Sequence, residues 1–202
     1  GLILPKCILK IRWNTFDDYM SELRSGYRRR YNIAFRKSER LNCFILQSNK
    51  DFNEEMYNLY LDVYNNAEYK LGKVSIDYFR EKRCIIIVLK NDKGVPGFAQ
   101  LNKKSYELIF EFVGPKENSV TEYDTYIRLL LEIVRYGIEQ GFSSIDLGQT
   151  TDEAKLKLGS RYKMLYVLIH HSNPVINKIL KLVTPLLEYK PLNENQFHVF
   201  KK

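Results

Sequence analysis

Residues 121–148 read TEYDTYIRLLLEIVRYGIEQGFSSIDLG. Tyr123, Tyr126, Ile127, Leu130, Leu131, Val134 and Ile138 recur at steps of three and four, which predicts a helix over 121–140. Glu122, Asp124, Arg128, Glu132, Arg135 and Glu139 fall on the other side and are expected to face water. Gly141 is a natural stop. The run Ser-Ser-Ile-Asp-Leu over 143–147 then reads as a short strand, which Gly148, Gln149, Thr150 and Thr151 end. A long amphipathic helix feeding a short strand calls for a sheet to pack on.

The sheet is found upstream. Three strand candidates, 83–90, 95–101 and 106–113, are separated by the polar turns 91–94 and 102–105, the pattern of an antiparallel meander. Further back lie an extended segment at 6–12 and a helix capped by Asn14 or Thr15 and broken at Ser25-Gly26. A second helix over 27–40, a strand at 43–47, a helix over 53–69 and a short helix at 75–82 follow. Downstream come a helical turn at 153–158, a strand at 163–170 and an apolar helix from Pro174 to about residue 187. A last edge strand is expected at 197–200. The helix 174–187 is expected to pack on the sheet or on a further unit, with a partner or membrane surface as the other reading. The order gives a mixed α/β fold in one domain spanning 1–202.

Composition narrows the function. The 202 residues carry 32 Lys or Arg against 24 Asp or Glu, a net +8, with 15 Tyr and 11 Phe. That excludes a disordered chain, and ten Gly with six Pro exclude a collagen-like one. No run of about 18 apolar residues occurs, so no transmembrane helix is expected. No secretory signal is visible, and a cytoplasmic location is expected. Cys7, Cys43 and Cys84 form no C-x-x-C pair and are expected as buried free thiols. His170, His171 and His198 lack ligand spacing, so no metal is expected. Residues 1–40 hold ten Lys or Arg and four Asp or Glu, a net +6. The excess centres on Arg28, Arg29 and Arg30, with Arg36, Lys37 and Arg40 behind them. This concentration suits a confined anion site better than a broad nucleic-acid surface.

Four stretches together resemble the GNAT superfamily of N-acyltransferases, and within it the FemAB/BioF2-like branch, which includes the aminoacyl transferases that build peptidoglycan cross-bridges. They are Leu4-Pro5 with 16–23 and Tyr27-Arg28-Arg29-Arg30; Asn91 to Gly97; Gly141 to Gly148; and Lys155-Leu156-Lys157-Leu158-Gly159. The similarity covers about residues 4–170. It implies a mostly antiparallel sheet flanked by helices, whose two central parallel strands (106–113 and 143–147) splay apart around the reacting carbonyl. It implies transfer of an acyl or aminoacyl group to an amine acceptor, a small molecule or a cell-envelope precursor. The donor would be acyl-CoA or aminoacyl-tRNA. The superfamily's pyrophosphate loop between strand and long helix is absent, since 113–121 offers only Gly114 followed by Pro115. The branch commonly has two tandem units, so a chain beginning at Gly1 reads as the C-terminal unit of a longer protein.

On this resemblance Lys155 stabilises an oxyanion or binds a donor phosphate, the alternative being a surface lysine. Asp146 orients Lys155 or accepts a proton, or else caps the turn that follows it. Glu111, between Phe110 and Phe112, acts as general base if burial raises its pKa; strand alternation would instead point it to water. Tyr123 and Tyr126 line the pocket or the core. Arg28, Arg29 and Arg30 bind donor or acceptor phosphate, and Gly148, Gln149 and Gly159 shape the donor site. Two competing readings stand beside this one. The first is a non-catalytic module that grips RNA or a phosphate-bearing ligand through its basic helix; the second is a CoA-dependent small-molecule acetyltransferase.

Overall fold

Strands buried on both faces read as near-continuous apolar runs, and this chain has two neighbouring ones, over 85–89 and 95–101. The computed structural model describes residues 1–202 except Tyr69, Leu71, Lys82 and Lys202. The strands are β1 (Leu2–Lys10), β2 (Asn42–Ile45), β3 (Ile85–Asn91), β4 (Gly94–Lys104), β5 (Glu107–Pro115), β6 (Ser144–Asp146) and β7 (Arg161–Tyr166). They form a seven-stranded sheet in the order β2-β3-β4-β5-β6-β1-β7. Every neighbouring pair is antiparallel except β5–β6. In β3, Ile87 and Leu89 face one core and Ile86 and Val88 the other. Phe98 and Ala99 of β4 divide in the same way.

The first face carries α1 (Phe16–Glu22), α2 (Ser25–Lys37) and α6 (Thr125–Glu139); the second carries α3 (Glu54–Asn66) and α4 (Ile76–Glu81). Thr15 closes a capping box with Asp18 at the start of α1. The chain breaks at Leu23 and Arg24, so Ser25 and Gly26 open α2 instead of ending α1. The expected helix ends at Tyr69 and Lys82 lie outside the described residues.

The predicted helix over 121–140 is two helices. A short α5 (Glu117–Glu122) is separated from α6 by Asp124, which adopts a left-handed φ of 52°. Nor do Asp124 and Glu132 face water. Both are buried, because α1 and α2 lie over the outer side of α6 and make it the middle layer of the domain. Glu132 accepts a 2.7 Å hydrogen bond from Arg128 Nε, and Arg128 stacks on Phe35 and donates to Ser38 Oγ. Asp124 receives both guanidinium nitrogens of Arg30 at 2.9 Å. No edge strand forms at 197–200; a 3-10 turn (Glu194–Gln196) and one bridge between Leu23 and Phe200 take its place. Cys7 is buried, whereas Cys43 is exposed and Cys84 half-buried.

Candidate active site

β5 and β6 run parallel only from Glu107↔Ser144 to Ile109↔Asp146. Beyond that point β5 continues to Pro115 beside β4 alone, while β6 stops and its chain turns away. Two features cause the divergence. The β4–β5 register shifts between Leu101↔Phe110 and Gln100↔Phe112, leaving Glu111 as the extra residue of a bulge that bends β5. Residues 148–151 then form a sharp turn, with Gly148, Thr150 and Thr151 at φ of 75°, 63° and 52°. Left-handed threonines are unfavourable by about 1 kcal/mol or more each, so something must hold this turn.

Three contacts hold it. Asp146, buried at the end of β6, accepts from Gly148 N at 2.9 Å and from Lys6 Nζ at 2.5 Å. Gln149 donates its side-chain amide to the Leu4 carbonyl at 2.5 Å. Lys155, on α7 (Asp152–Leu156), reaches back to the Gln149 carbonyl at 2.6 Å. Lys155 is only 3% exposed and its ammonium lies 5.8 Å from the Phe110 ring centre. Burial pulls its pKa down to about 8, although the Cys7 thiol, Asp152 and Asp146 oppose the shift. Asp146 therefore partners Lys6 and caps the turn, and it does not hydrogen-bond Lys155.

The gap between the strands opens into a cleft of about 2050 Å³. Its floor is the 146–155 segment with Phe110 and Glu111; α2 contributes Tyr27 and Arg30, and α3 contributes Tyr60 and Tyr64. Glu111, Asp146, Gly148, Gln149, Lys155, Tyr126 and Arg30 thus all line one cleft. Glu111 is exposed, not buried between its aromatic neighbours, because the bulge turns it outward; it accepts from the Tyr78 hydroxyl at 3.2 Å. Burial pushes the Tyr126 pKa up to about 12, with the Thr151 side chain acting in the opposite direction.

The other candidates fall elsewhere. Arg28 and Arg29 line a separate shallow hollow with Ser25, Asn32, Phe35 and Arg36, and Arg28 donates to the Ser21 and Leu23 carbonyls. Tyr123 packs at the edge of the core. Gly159, at φ 90°, sits under the Phe200 ring, where an added Cβ would come within 2.2 Å of a ring carbon. Gly114 lies inside β5 with its missing Cβ replaced by the Phe98 ring, so it serves packing and forms no phosphate loop.

Two cleft residues carried no sequence signal of their own. Lys6 is one. The other is Asp152, buried, whose Oδ2 accepts from the Tyr162 hydroxyl at 2.9 Å and the Tyr189 hydroxyl at 2.7 Å. The doublet Thr150-Thr151 before an acidic residue was the local hint of a helix start at Asp152. Among the described residues no group of three His, Cys, Asp or Glu could hold a metal ion.

This mostly antiparallel sheet, split at one parallel pair and flanked by helices, is the mixed α/β architecture that the sequence implied. No protein-family model matches the chain, and no curated protein matches it in sequence. Among solved structures it is similar to L-PGS from Bacillus licheniformis, with a TM-score of 0.57 and 16% identity over 93% of this chain. It is also similar to the C-terminal domain (DUF2156) assigned to a lysylphosphatidylglycerol synthetase from Agrobacterium fabrum, with a TM-score of 0.60 and 14% identity over 96% of this chain. The chain spans 66% and 67% of those two structures. At these identities the likeness is one of fold.

Proposed function

We propose that this chain transfers an acyl or aminoacyl group from a carrier to an amine acceptor in the cleft between the diverging ends of β5 and β6. The observation that carries the reading is that divergence itself: a parallel pair that parts after Ile109 and Asp146, over a floor holding a buried ammonium. The splay leaves backbone groups of β5 free to meet an extended donor. In the reaction the acceptor nitrogen bonds to the donor carbonyl carbon, the bond to the carrier breaks, and one proton leaves the nitrogen. We assign that proton to Glu111, which lines the cleft and would take it directly or through water as an exposed carboxylate, without the burial first expected of it. Lys155 supplies positive charge against the developing oxyanion, and the fixed turn spares reorganisation.

The filled Gly114 position supports an aminoacyl-tRNA donor over acyl-CoA. The name of the Agrobacterium fabrum structure, which joins lysyl to phosphatidylglycerol, supports an aminoacyl donor; a phosphatidylglycerol acceptor would attack through a hydroxyl oxygen in place of the amine nitrogen, with the same loss of one proton. The motif around Arg28 to Arg30 supports the FemAB-like alternative, in which the acceptor is a peptidoglycan precursor on the cytoplasmic face. Purified full-length protein should transfer label from charged tRNA, or from acyl-CoA, to an amine or lipid acceptor. No turnover with any donor, from protein that is folded, overturns the reading.

A second reading rests on the hollow of about 730 Å³ formed by Arg28, Arg29 and Arg36. It makes the domain a module that grips RNA or a phosphate. Binding of RNA that falls steeply with salt and is lost in R28A/R29A/R36A would support it.

A further inference from the structure

A helix lying on a globular domain normally turns its apolar stripe inward. The helix α8 (Pro174–Leu187) does the reverse: none of its residues is buried. Thr184 lies against Gly1, and Leu180 is half-buried. The opposite arc carries Val175, Ile179, Leu182 and Leu186, with Leu182 77% and Leu186 83% exposed. The segment leading into the helix adds Val167, Leu168 and Ile169, all exposed. The expectation that α8 packs on the sheet is therefore not met.

Within the segment itself the charge is one-sided, and the first acid after it, Glu188, caps α8 and accepts from Leu2 N. No Asp or Glu occurs from 161 to 187, while Lys163, Lys178 and Lys181 do. At about 100° per residue, Lys178 borders the apolar arc and Lys181 follows it. Their stems can lie along the leucines while the ammonium groups reach a phosphate level. Two copies docked through this face would bring lysines together with no acid from the segment to meet them. At 14 residues α8 has the length of an interfacial helix, and no helix among the described residues is long and apolar enough to cross a membrane.

We propose that α8 and the preceding 167–169 segment form a docking surface for an anionic lipid bilayer, with the leucines entering the acyl boundary and Lys178 and Lys181 meeting lipid phosphates. Docking there would hold the cleft near the membrane, because Tyr189, just beyond α8, is tied to Asp152 on the cleft floor. The inference does not depend on catalysis.

The test is co-sedimentation of the full chain with vesicles of phosphatidylcholine containing about 30 mol % phosphatidylglycerol or phosphatidylserine. Binding should be alike for the two anionic lipids, weak on phosphatidylcholine alone, and several-fold lower at about 0.5 M than at about 0.1 M NaCl. L182E/L186E changes only exposed positions and should weaken binding about tenfold or more with an unchanged melting temperature. K178E/K181E should lose the preference for anionic vesicles. Wild-type protein left in the supernatant overturns the proposal, and so does a leucine variant that binds like wild type. A dimer abolished by L182E/L186E, without vesicle binding, assigns the face to self-association instead. Because no donor or acceptor is present, failure here is distinct from failure of the transfer reaction.

Discussion

Replacing Lys155 by Met tests the energetic role of the one buried ammonium under the 148–151 turn. Met keeps the apolar stem against Phe110 at nearly the same volume. It removes a charge whose pKa burial has lowered from 10.5 to about 8. A lysine with a depressed folded pKa binds fewer protons folded than unfolded between those two values. Its penalty is therefore full below about pH 8 and is relieved as pH rises toward 10.5. Between pH 7 and pH 9 the relief is about 1 kcal/mol in favour of the wild type. The substitution also strips the Gln149 carbonyl of its 2.6 Å donor. That loss costs about 1–3 kcal/mol, which roughly offsets the removed desolvation at neutral pH. Urea denaturation of both proteins at pH 7 and pH 9 isolates the effect. The Cys7 thiol, pushed up to about 11, also titrates across this range, but it is common to both. The wild type should gain about 1 kcal/mol over K155M on going to pH 9. A difference that stays flat refutes the claim that Lys155 is desolvated in the folded state.

Glu132→Ala leaves the largely buried Arg128 without its carboxylate and should cost about 3 kcal/mol in chemical denaturation. Glu132→Gln, which keeps an acceptor, should cost less. Gly159→Ala forces a Cβ into the Phe200 ring at a left-handed φ and should destabilise by about 2 kcal/mol or more, read as a lowered unfolding midpoint. Arg30→Ala removes the paired hydrogen bonds to Asp124; with Arg30 45% exposed and Lys37 still 3.6 Å away, the loss should be about 1 kcal/mol by thermal melting. Arg29→Ala, on the open face of α2, should change stability by less than about 0.5 kcal/mol.

The contrast between Arg29 and Arg30 shows where reading the sequence reaches its limit. Composition marks both as part of one basic cluster. Only the fold shows that Arg30 turns toward Asp124, 94 residues away, while Arg29 does not. The strands and most helices were legible because burial on one or two faces writes a period of 2.0 or 3.6 into the chain. Asp124 and Glu132 misled because a helix covered on two sides has no solvent face, and the layer over α6 comes from residues a hundred positions upstream. α8 misled in the opposite direction, since periodicity gives the existence of an apolar face but not what lies against it. In the site, the order of Asp146, Gly148, Gln149 and Lys155 was readable as a strand, a turn and a short helix. The partnership of Asp146 with Lys6 was not, because a contact across 140 residues leaves no local trace.

The charges near the cleft separate by partner. Asp124 has Arg30, Glu132 has Arg128, Asp146 has Lys6, and Asp152 has two tyrosine hydroxyls. Lys155 differs from these: its hydrogen-bond acceptor is a neutral carbonyl, and among the described residues no carboxylate forms an ion pair with it. Desolvating an ammonium without a direct counter-charge is expensive, and a lysine serving only to brace a turn could be replaced by a neutral donor at lower cost. The structure keeps the charge under three left-handed residues at the point where β5 and β6 part. Under the transfer proposed above, a fixed, poorly neutralised cation at the floor of an open cleft would stabilise the oxyanion of a tetrahedral acyl-transfer intermediate. On the proposed reading, the stability lost by burying Lys155 is the cost of holding that charge ready. K155M should then lose transfer activity even where its folding stability matches the wild type.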